Sequence, residues 1–272
     1  MLNSTQLKSI QTRIKWLPFI AFFRREIHRF SKVFIQTIFI PVINSSMYLI
    51  IFGVSLGSRL DLEGFSYLEF IIPGLVMMSC LSNAFQNSAS SILSLKFAGD
   101  IVDVRVSPLT IQQTLWALAF GGVCRGILVG GVVLVVGELF HFYYLDRWLI
   151  PHSIGGLFAF SVLAGLVFSK MGVVIALWAK TFDHIGAVGG LVITPLTYLG
   201  GVFFSLEMLS PFWQKASLFN PILYFINGVR WSLIGMSDVT VVVSLIVSGL
   251  ALVVCHVGGV LMIKNSQYYR RW

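Results

Sequence analysis

Long apolar runs alternate with short loops along this chain, and its lysines and arginines fall mainly in one set of those loops. Each run approaches or exceeds the roughly 20 apolar residues that a helix needs to cross a bilayer. Only 11% of the 272 residues are charged, whereas soluble domains carry about 25%. The pattern predicts a protein that crosses the membrane several times, with most of its surface facing lipid.

Six of these runs are predicted to be transmembrane helices. We therefore expect an all-α membrane protein that forms one domain over residues 1–272. The domain divides into an N-terminal segment, residues 1–32, and a six-helix core, residues 33–272. The predicted spans cover residues 33–56, 70–93, 111–136, 150–179, 185–204 and 239–263.

The stretch WLPFIAFFRREIHRFSK, residues 16–32, has the spacing of an amphipathic helix. Aromatic and aliphatic side chains recur at steps of three and four residues, and cations occupy the other face. Such a helix is suited to lie in the headgroup plane, in contact with membrane lipid. We predict an interfacial elbow helix whose characteristic residues are Trp16, Arg24, Arg25, His28 and Arg29.

The cations also predict the orientation of the chain. With six spans, thirteen of them fall on one side, and four (Arg59, Arg147, Lys215 and Arg230) fall on the other. Because loops rich in lysine and arginine stay in the cytoplasm, we expect both termini there. Membrane orientation and contact with anionic lipid account for the formal charge of +8, so we expect no nucleic-acid partner.

A polar stripe runs along one face of the second predicted span, at spacings of four, three and four residues. Polar groups at membrane depth are costly unless they face protein or a wet cavity. With one residue each from the first and fifth spans, they are predicted to line a translocation path or a dimer interface. The alternative is that they only hold helices together. The candidates are Ser79, Asn83, Gln86, Ser90, Asn44 and Thr194.

The third and fourth spans carry small residues and cations. Gly122, Gly126 and Gly130 recur every four residues, which predicts close helix packing. Arg125 and Lys170 lie about 20 and 15 Å from the cytoplasmic end, at 1.5 Å per residue. Such a cation costs several kcal/mol unless it is paired or solvated. A role toward substrate and a structural pairing with a carbonyl or a distant carboxylate both remain open.

The sequence contains no phosphate-binding loop and no zinc-protease motif, because it lacks G-x-x-x-x-G-K-[ST] and H-E-x-x-H. The five histidines are scattered, and the three cysteines form no C-x-x-C pair. We expect no metal site, no cofactor bound by this chain and no enzymatic activity of its own.

Two segments outside the spans are distinctive. Residues 96–108, KFAGDIVDVRVSP, contain charged residues of both signs and apolar residues. This composition favours a short amphipathic helix to which a cytoplasmic partner can bind. Residues 205–237 are too apolar for a solvated loop and too interrupted for a span. They are predicted to form short helices that dip partway into the bilayer.

Five stretches together resemble the permease subunits of ABC type-2 exporters, of the YadH-like and NodJ-like kind. They are GFSYLEFIIPGLVMMS (64–79), KFAGDIVDVRVSPLT (96–110), AKTFDHI (179–185), PLTYLGGVFFSLEMLSPFWQ (195–214) and FNPILYFINGVRW (219–231). The resemblance covers nearly the whole chain in the same order. It departs at Val102, where close relatives tend to have the first of two adjacent acids.

The resemblance implies a homodimer of permeases that works with two copies of a cytoplasmic ATPase subunit, which would bind the ATP and Mg²⁺. Residues 96–108 would form the coupling helix that docks on this ATPase. The implied coupling residues are Lys96, Asp100, Asp103, Arg105 and Pro108. The implied residues of external re-entrant helices are Pro211, Asn220, Pro221 and Arg230.

We therefore expect a subunit of an ATP-driven exporter in a bacterial inner membrane, moving an amphipathic drug, lipid, glycolipid or polysaccharide. The alternative is a stand-alone ion-coupled transporter that uses Arg125 and Lys170. Proton-coupled transporters usually contain acidic relays, and no acid lies well inside a predicted span. A membrane-bound enzyme is disfavoured because H-E-x-x-H is missing and the scattered histidines give no ligand spacing.

Overall fold

The computed structural model describes residues 4–56 and 65–266, which are helical and contain no β-strand. The helices are α1 (Ser4–Ser31), α2 (Phe34–Tyr48), α3 (Tyr67–Ala98), α4 (Ile101–Val106), α5 (Ile111–Leu145), α6 (Ile154–Trp178), α7 (Phe182–Val188), α8 (Thr194–Leu199), α9 (Pro211–Leu218), α10 (Pro221–Ile234) and α11 (Val241–Asn265). Two π-helical segments, Leu49–Leu56 and Gly189–Ile193, extend α2 and join α7 to α8, and Leu206–Met208 forms a 3-10 turn.

Within residues 4–56 and 65–266, five helices are long and apolar enough to cross a membrane: Phe34–Ser55, α3, α5, α6 and α11. They correspond to the first, second, third, fourth and sixth predicted spans. The fifth predicted span is helical from α7 through the π-helical segment to α8. Several membrane-length helices are therefore confirmed, whereas the count of six stays a prediction.

Helix α3 lies at the centre of the bundle, where α5, α6 and α10 pack around it and bury most of its residues. Its start is fixed by a capping box: the Ser66 hydroxyl accepts a hydrogen bond from Leu68 N at 3.3 Å, and Glu69 Oε2 accepts one from Ser66 N at 2.8 Å. Helices α2 and α11 lie at the periphery and leave broad apolar faces exposed.

Glycines allow the backbones of these central helices to approach closely. A Cβ atom at Gly126 of α5 would lie 2.8 Å from the carbonyl oxygen of Cys80 in α3. At Gly172 of α6, a Cβ atom would lie 2.5 Å from the carbonyl oxygen of Phe85. The prediction that the glycine row of α5 serves helix packing is confirmed, because no larger residue fits at these contacts.

A charged cluster of buried Glu69 and His141 with exposed Arg147 fastens the start of α3 to the end of α5. Glu69 Oε1 accepts a hydrogen bond from Arg147 Nη2 at 2.7 Å and lies 3.0 Å from His141 Nε2. His141 Nδ1 lies 2.6 Å from the carbonyl oxygen of Arg147. The chain reverses between these groups at Asp146, whose φ of 51° ends α5. The cluster holds one end of the central helix pair in register.

Helix α1 is longer than its amphipathic core suggested, because it begins at Ser4 and not at Trp16. Trp16, Arg24 and His28 are exposed, in agreement with an outward polar or interfacial surface. Its position in the headgroup plane stays a prediction.

The inner face of α1 differs from the sequence prediction. Glu26 lies on this face between Phe22 and Phe30, and all three are buried. We placed Arg29 with the cations on the outer face, which was wrong. Its guanidinium turns toward α3 because Glu26 and Asn87 both bind it.

The segment between α8 and α11 contains the short helices that its sequence predicts. Arg230, which we counted among the cations on the side opposite the termini, is fully buried in α10. Its Nη1 lies 3.5 Å from Asp238 Oδ2, its Nη2 donates to the carbonyl oxygen of Gly201, and its guanidinium carbon lies 3.9 Å from the centroid of the Phe70 ring. The burial is possible because an acid, a carbonyl and an aromatic face surround the charge. Whether this segment enters the bilayer stays a prediction.

Two substitutions in α5 test the close contact with α3. The new methyl group of Gly126→Ala meets the backbone of Cys80, so we expect a loss of about 1–3 kcal/mol, as for other overpacked sites. Gly131→Ala is the matched control, because nothing lies within 4 Å of its Cβ position. Thermal unfolding of the purified protein should give a lower Tm for Gly126→Ala only. Equal Tm values for the two variants would contradict the packing.

Candidate functional site

A groove of about 570 Å³ lies between α2 and α3, and we call it the α2–α3 groove. Helix α5 contributes Arg125 to its wall. Apolar side chains, among them Ile40, Leu75 and Met78, form another part of the lining. The polar part includes Gln36, Asn44, Ser79, Asn83, Gln86 and Ser90.

Five of the six residues that the sequence proposed for a path or an interface line the α2–α3 groove. The sixth, Thr194, is not among the residues that line it. Its hydroxyl donates to the carbonyl oxygen of Gly189 at 3.0 Å, inside the helical run from α7 to α8. A shared groove brings the five residues together, and their use as a path or an interface stays a prediction.

The polar residues of α3 divide into two sets. Ser79, Asn83 and Gln86 line the α2–α3 groove, and Asn83 Nδ2 bonds only within α3, to the carbonyl oxygen of Ser79 at 3.0 Å. Other residues fasten α3 to its neighbours: Ser88 Oγ donates to the carbonyl oxygen of Leu118 at 3.1 Å. Ser90 of the stripe and residues next to the stripe therefore provide the helix–helix bonds that the alternative interpretation assigned to the stripe as a whole.

Arg125 is the charged residue of the α2–α3 groove. Its Nε is buried and has no hydrogen-bond partner among the residues that the structure describes. The charged neighbour close enough to influence it is Arg29, another cation. The hydroxyl of Thr37, also in the groove wall, is likewise buried without a partner in the described chain. The groove thus offers a positive charge and unused hydrogen-bonding atoms.

Glu26 and Arg29 of α1 bind α3 through a set of contacts that we call the α1–α3 latch. Ser91 Oγ donates to Glu26 Oε1 at 2.7 Å, and Arg29 Nη2 lies 3.4 Å from Glu26 Oε2. Arg29 also donates to Asn87 Oδ1 at 2.9 Å and to Ser90 Oγ at 3.0 Å. Because Ser90 lines the α2–α3 groove as well, the latch lies directly beside the groove.

The latch depends on close packing and on charge balance. A Cβ atom at Gly121 of α5 would lie 2.7 Å from Glu26 Cβ. The absence of a side chain at Gly121 therefore makes room for Glu26. Burial lowers the pKa of the Arg29 guanidinium, and the Glu26 carboxylate opposes this shift. Arg25 approaches the same carboxylate at 3.4 Å from its more exposed position.

The segment predicted to contact an ATPase forms the short helix α4, which follows α3 after Gly99 in the left-handed conformation, φ 80°. Ile101 and Val104 are buried against the bundle, whereas Val102 and Asp103 are exposed. The free face of α4 thus carries acidic and apolar side chains. Asp100 and Pro108 are exposed too, and the side chain of Arg105 lies outside the described residues.

Lys96 holds the base of this segment. Its Nζ donates to the carbonyl oxygens of Ala179 at 2.6 Å, Ala176 at 3.1 Å and Leu177 at 3.3 Å. These carbonyls end α6, so the ammonium group caps that helix. Lys96 is therefore engaged inside the chain and fixes where α4 begins.

Lys170 of α6 has a different environment from Arg125. It is fully buried, and its Nζ lies 3.4 Å from the centroid of the Trp116 ring on α5. Within the described part of the chain this nitrogen has no hydrogen-bond partner. Lys170 is not among the residues that line the α2–α3 groove, so the structure does not bring the two intramembrane cations into one site.

The residues predicted for re-entrant helices cluster at the end of the bundle away from α4. Pro211 and Pro221 begin α9 and α10, as proline favours. Asn220 caps α10 by accepting from Ile222 N at 3.1 Å, and its Nδ2 donates to the carbonyl oxygen of Leu196 at 2.6 Å. With Arg230, which is buried in α10, they form this end of the bundle.

Sequence reasoning missed three residues of the site: Glu26, Asn87 and Ser91. A signal existed for the first, because Glu26 lies midway between Phe22 and Phe30 at spacings of four and is an acid among cations. Asn87 adjoins Gln86 of the polar stripe, and the sequence prediction did not include it. A group of three or more metal-ligating side chains is absent from the described residues.

Comparison with known proteins identifies the family. Residues 18–234 match the family described as ABC-2 type transporter. The chain is 42% identical to the Inner membrane transport permease YadH of Escherichia coli (strain K12), over 84% of this chain and 87% of that protein.

Two more distant relatives agree with this match. The chain is 24% identical to Nodulation protein J of Neorhizobium galegae, over 82% of this chain and 85% of that protein. It is 25% identical to Nodulation protein J of Rhizobium leguminosarum bv. trifolii, over 80% and 82%. With its several membrane-length helices, this chain is a multi-pass membrane protein, and it belongs to the ABC-2 type transporter family.

Proposed function

We propose that this chain is the permease subunit of an ATP-driven exporter in a bacterial inner membrane, with both termini in the cytoplasm. A separate cytoplasmic ATPase, present in two copies, would bind the ATP and Mg²⁺ and supply the energy. The observation that carries the proposal is the continuity of α4, α3 and the α2–α3 groove. An exposed docking face and a polar groove belong to one helical unit.

The arrangement suggests how a push of the ATPase on α4 would be transmitted to the α2–α3 groove. Ile101 and Val104 anchor α4 in the bundle, and Lys96 fixes its base, so a push on the exposed face of α4 bears on α3. Helix α3 forms one wall of the α2–α3 groove and is held to α1 by the latch. A rigid-body shift of α3 and α1 against the peripheral α2 would change the width of the groove.

A second copy of the chain and membrane lipid are the other partners that we propose. Helix α2 exposes large apolar side chains along its outer face, including Ile35, Phe39 and Ile43. Leu191 and Phe219 are likewise exposed on the segments near α8 and α10. Such surfaces are stable only against lipid or against another apolar surface. We propose no nucleic-acid partner, because the cations adjoin membrane-length helices.

The proposed substrate is an amphipathic molecule, because the α2–α3 groove combines amide and hydroxyl groups with aliphatic side chains. The second candidate function is ion-coupled transport without an ATPase. Its proposed residues, Arg125 and Lys170, lie in separate environments, and the described lining of the groove contains no acid. Both observations weigh against it.

Charge reversal on α4 tests the ATPase partnership. We expect Asp103→Lys to reduce recovery of the co-purifying ATPase at least tenfold, because it places a cation on the proposed docking face. Glu207→Lys is the matched control, an exposed acid in the 3-10 turn at the opposite end of the bundle. The measurement is the ATPase activity recovered with the tagged chain. Equal recovery with both variants, or no ATPase with the wild type, would contradict the proposal.

Neutralising Glu26 tests the latch. Glu26→Gln leaves the half-buried Arg29 without its carboxylate, which should cost about 1–3 kcal/mol, as for other groups that lose a buried partner. We expect a lower Tm and a weaker response of ATPase activity to substrate in the reconstituted complex.

Arg24→Gln is the control for this variant, because it removes an exposed cation from the outer face of the same helix. Exposed substitutions of this kind usually change stability by less than about 0.5 kcal/mol. If Glu26→Gln were as stable and as well coupled as Arg24→Gln, the latch would have no mechanical role.

A further inference from the structure

We propose that the α2–α3 groove recognises an amphiphile whose head group carries an oxyanion, a phosphate or a carboxylate, and that Arg125 pairs with it. This inference rests on the proposed transport function only in that it calls the bound molecule a substrate. Binding itself needs no ATPase. It narrows the amphipathic class to molecules with a negative head group.

The charge balance around the groove favours an anionic ligand. Arg29 has the carboxylate of Glu26 beside it, at 3.4 Å. Arg125 forms no ion pair with an acid of the described residues, and the nearby charge that acts on it is the like charge of Arg29. An arginine stays protonated in proteins, so it cannot relieve the cost by losing its proton. One positive charge at the groove wall is thus left for a ligand.

A second observation is an excess of hydrogen-bond donors. Arg125 Nε, Arg29 Nε and Asn87 Nδ2 are all buried without a partner in the described chain. They belong to neighbouring groups: Arg29 binds Asn87 Oδ1 at 2.9 Å, and Arg125 lies one turn along α5 from Gly121, which adjoins Asn87. Buried donors normally have acceptors. These donors therefore need a hydrogen-bond acceptor beside the groove, and an oxyanion presents several.

A third observation is the shape of the cation. A guanidinium is a planar fork that binds two oxygens of one phosphate or carboxylate at once. The uncharged amides Asn44, Asn83 and Gln86 in the same groove can bind the hydroxyl or ester oxygens of a head group. Leu75 and Met78 give a tail an apolar surface. A molecule with one anionic group, neutral polar groups and an apolar chain matches this lining.

Binding to the purified chain in neutral detergent tests the proposal. The probes are dioleoyl phosphatidate and oleate as anionic amphiphiles, dioleoylglycerol and oleyl alcohol as their neutral counterparts, and inorganic phosphate as an anion without a tail. We expect phosphatidate or oleate to bind at least tenfold more tightly than its neutral counterpart, and inorganic phosphate to bind weakly. If the wild type does not prefer the anionic amphiphile, or binds inorganic phosphate equally well, the proposal is overturned.

Variants assign the preference to one residue. Arg125→Gln should lose at least tenfold in affinity for the anionic probe and keep its affinity for the neutral one, and Arg125→Lys should recover part of the loss. Lys170→Gln is the matched control, because it removes a cation at membrane depth outside the groove. An equal loss in Lys170→Gln, or none in Arg125→Gln, would contradict the role of Arg125.

Folding does not obscure this test. Arg125→Gln removes a half-buried charge that has no described acid beside it, so we expect its Tm to equal or exceed that of the wild type. The measurement uses the chain without an ATPase. Failure of the ATPase partnership would leave the binding result intact, and failure of anion binding would leave the partnership intact.

Discussion

The contact of α3 with α5 and α6 is the constraint on which the other features depend. Glycines at the crossing points bring backbone to within van der Waals contact, so the three helices have little freedom to slide. Glu69, His141 and Arg147 fix one end of this unit, and Lys96 fixes the other by capping α6. Helix α3 is thus a rigid member that reaches from the closed end of the bundle to α4.

The acids of the bundle are placed where they neutralise specific cations. Glu26 binds Arg29, Glu69 binds Arg147, and Asp238 lies beside the buried Arg230. Arg125 and Lys170 are the intramembrane cations that the described acids leave unneutralised. Lys170 lies against the Trp116 ring, which offers an attractive face, whereas Arg125 faces the α2–α3 groove. Charge pairing therefore accounts both for the ion pairs that hold the helices together and for the unpaired Arg125 that faces the groove.

The sequence predicted features that depend on helical period alone. Residues three and four apart share a face, so the stripe from Ser79 to Ser90 could be assigned to one surface before its neighbours were known. The glycine row of α5 followed from the same geometry. Asn44 joined the stripe in the groove because α2, which packs on α5, lies across the groove from α3.

Features that depend on a partner from another helix could not be predicted in this way. An arginine beside an apolar stripe can face headgroups or a buried carboxylate, and the spacing is identical in both cases. Arg29 was placed on the outer face for this reason, yet it binds Glu26 and Asn87 on the inner side. Thr194 was separated from the groove by the path of the chain through the π-helical segment Gly189–Ile193, which no residue pattern specified.

The central claim is that an ATPase acting on α4 moves α3 relative to α2 and so changes the α2–α3 groove. The direct measurement is the distance between spin labels at Gln36 on α2 and Gln86 on α3, by pulsed electron resonance in the complex with its ATPase. We predict a shift of this distance when ATP and Mg²⁺ are added to the complex, and none when they are added to the chain alone. An unchanged distance in the complex, with ATP bound, would contradict the account.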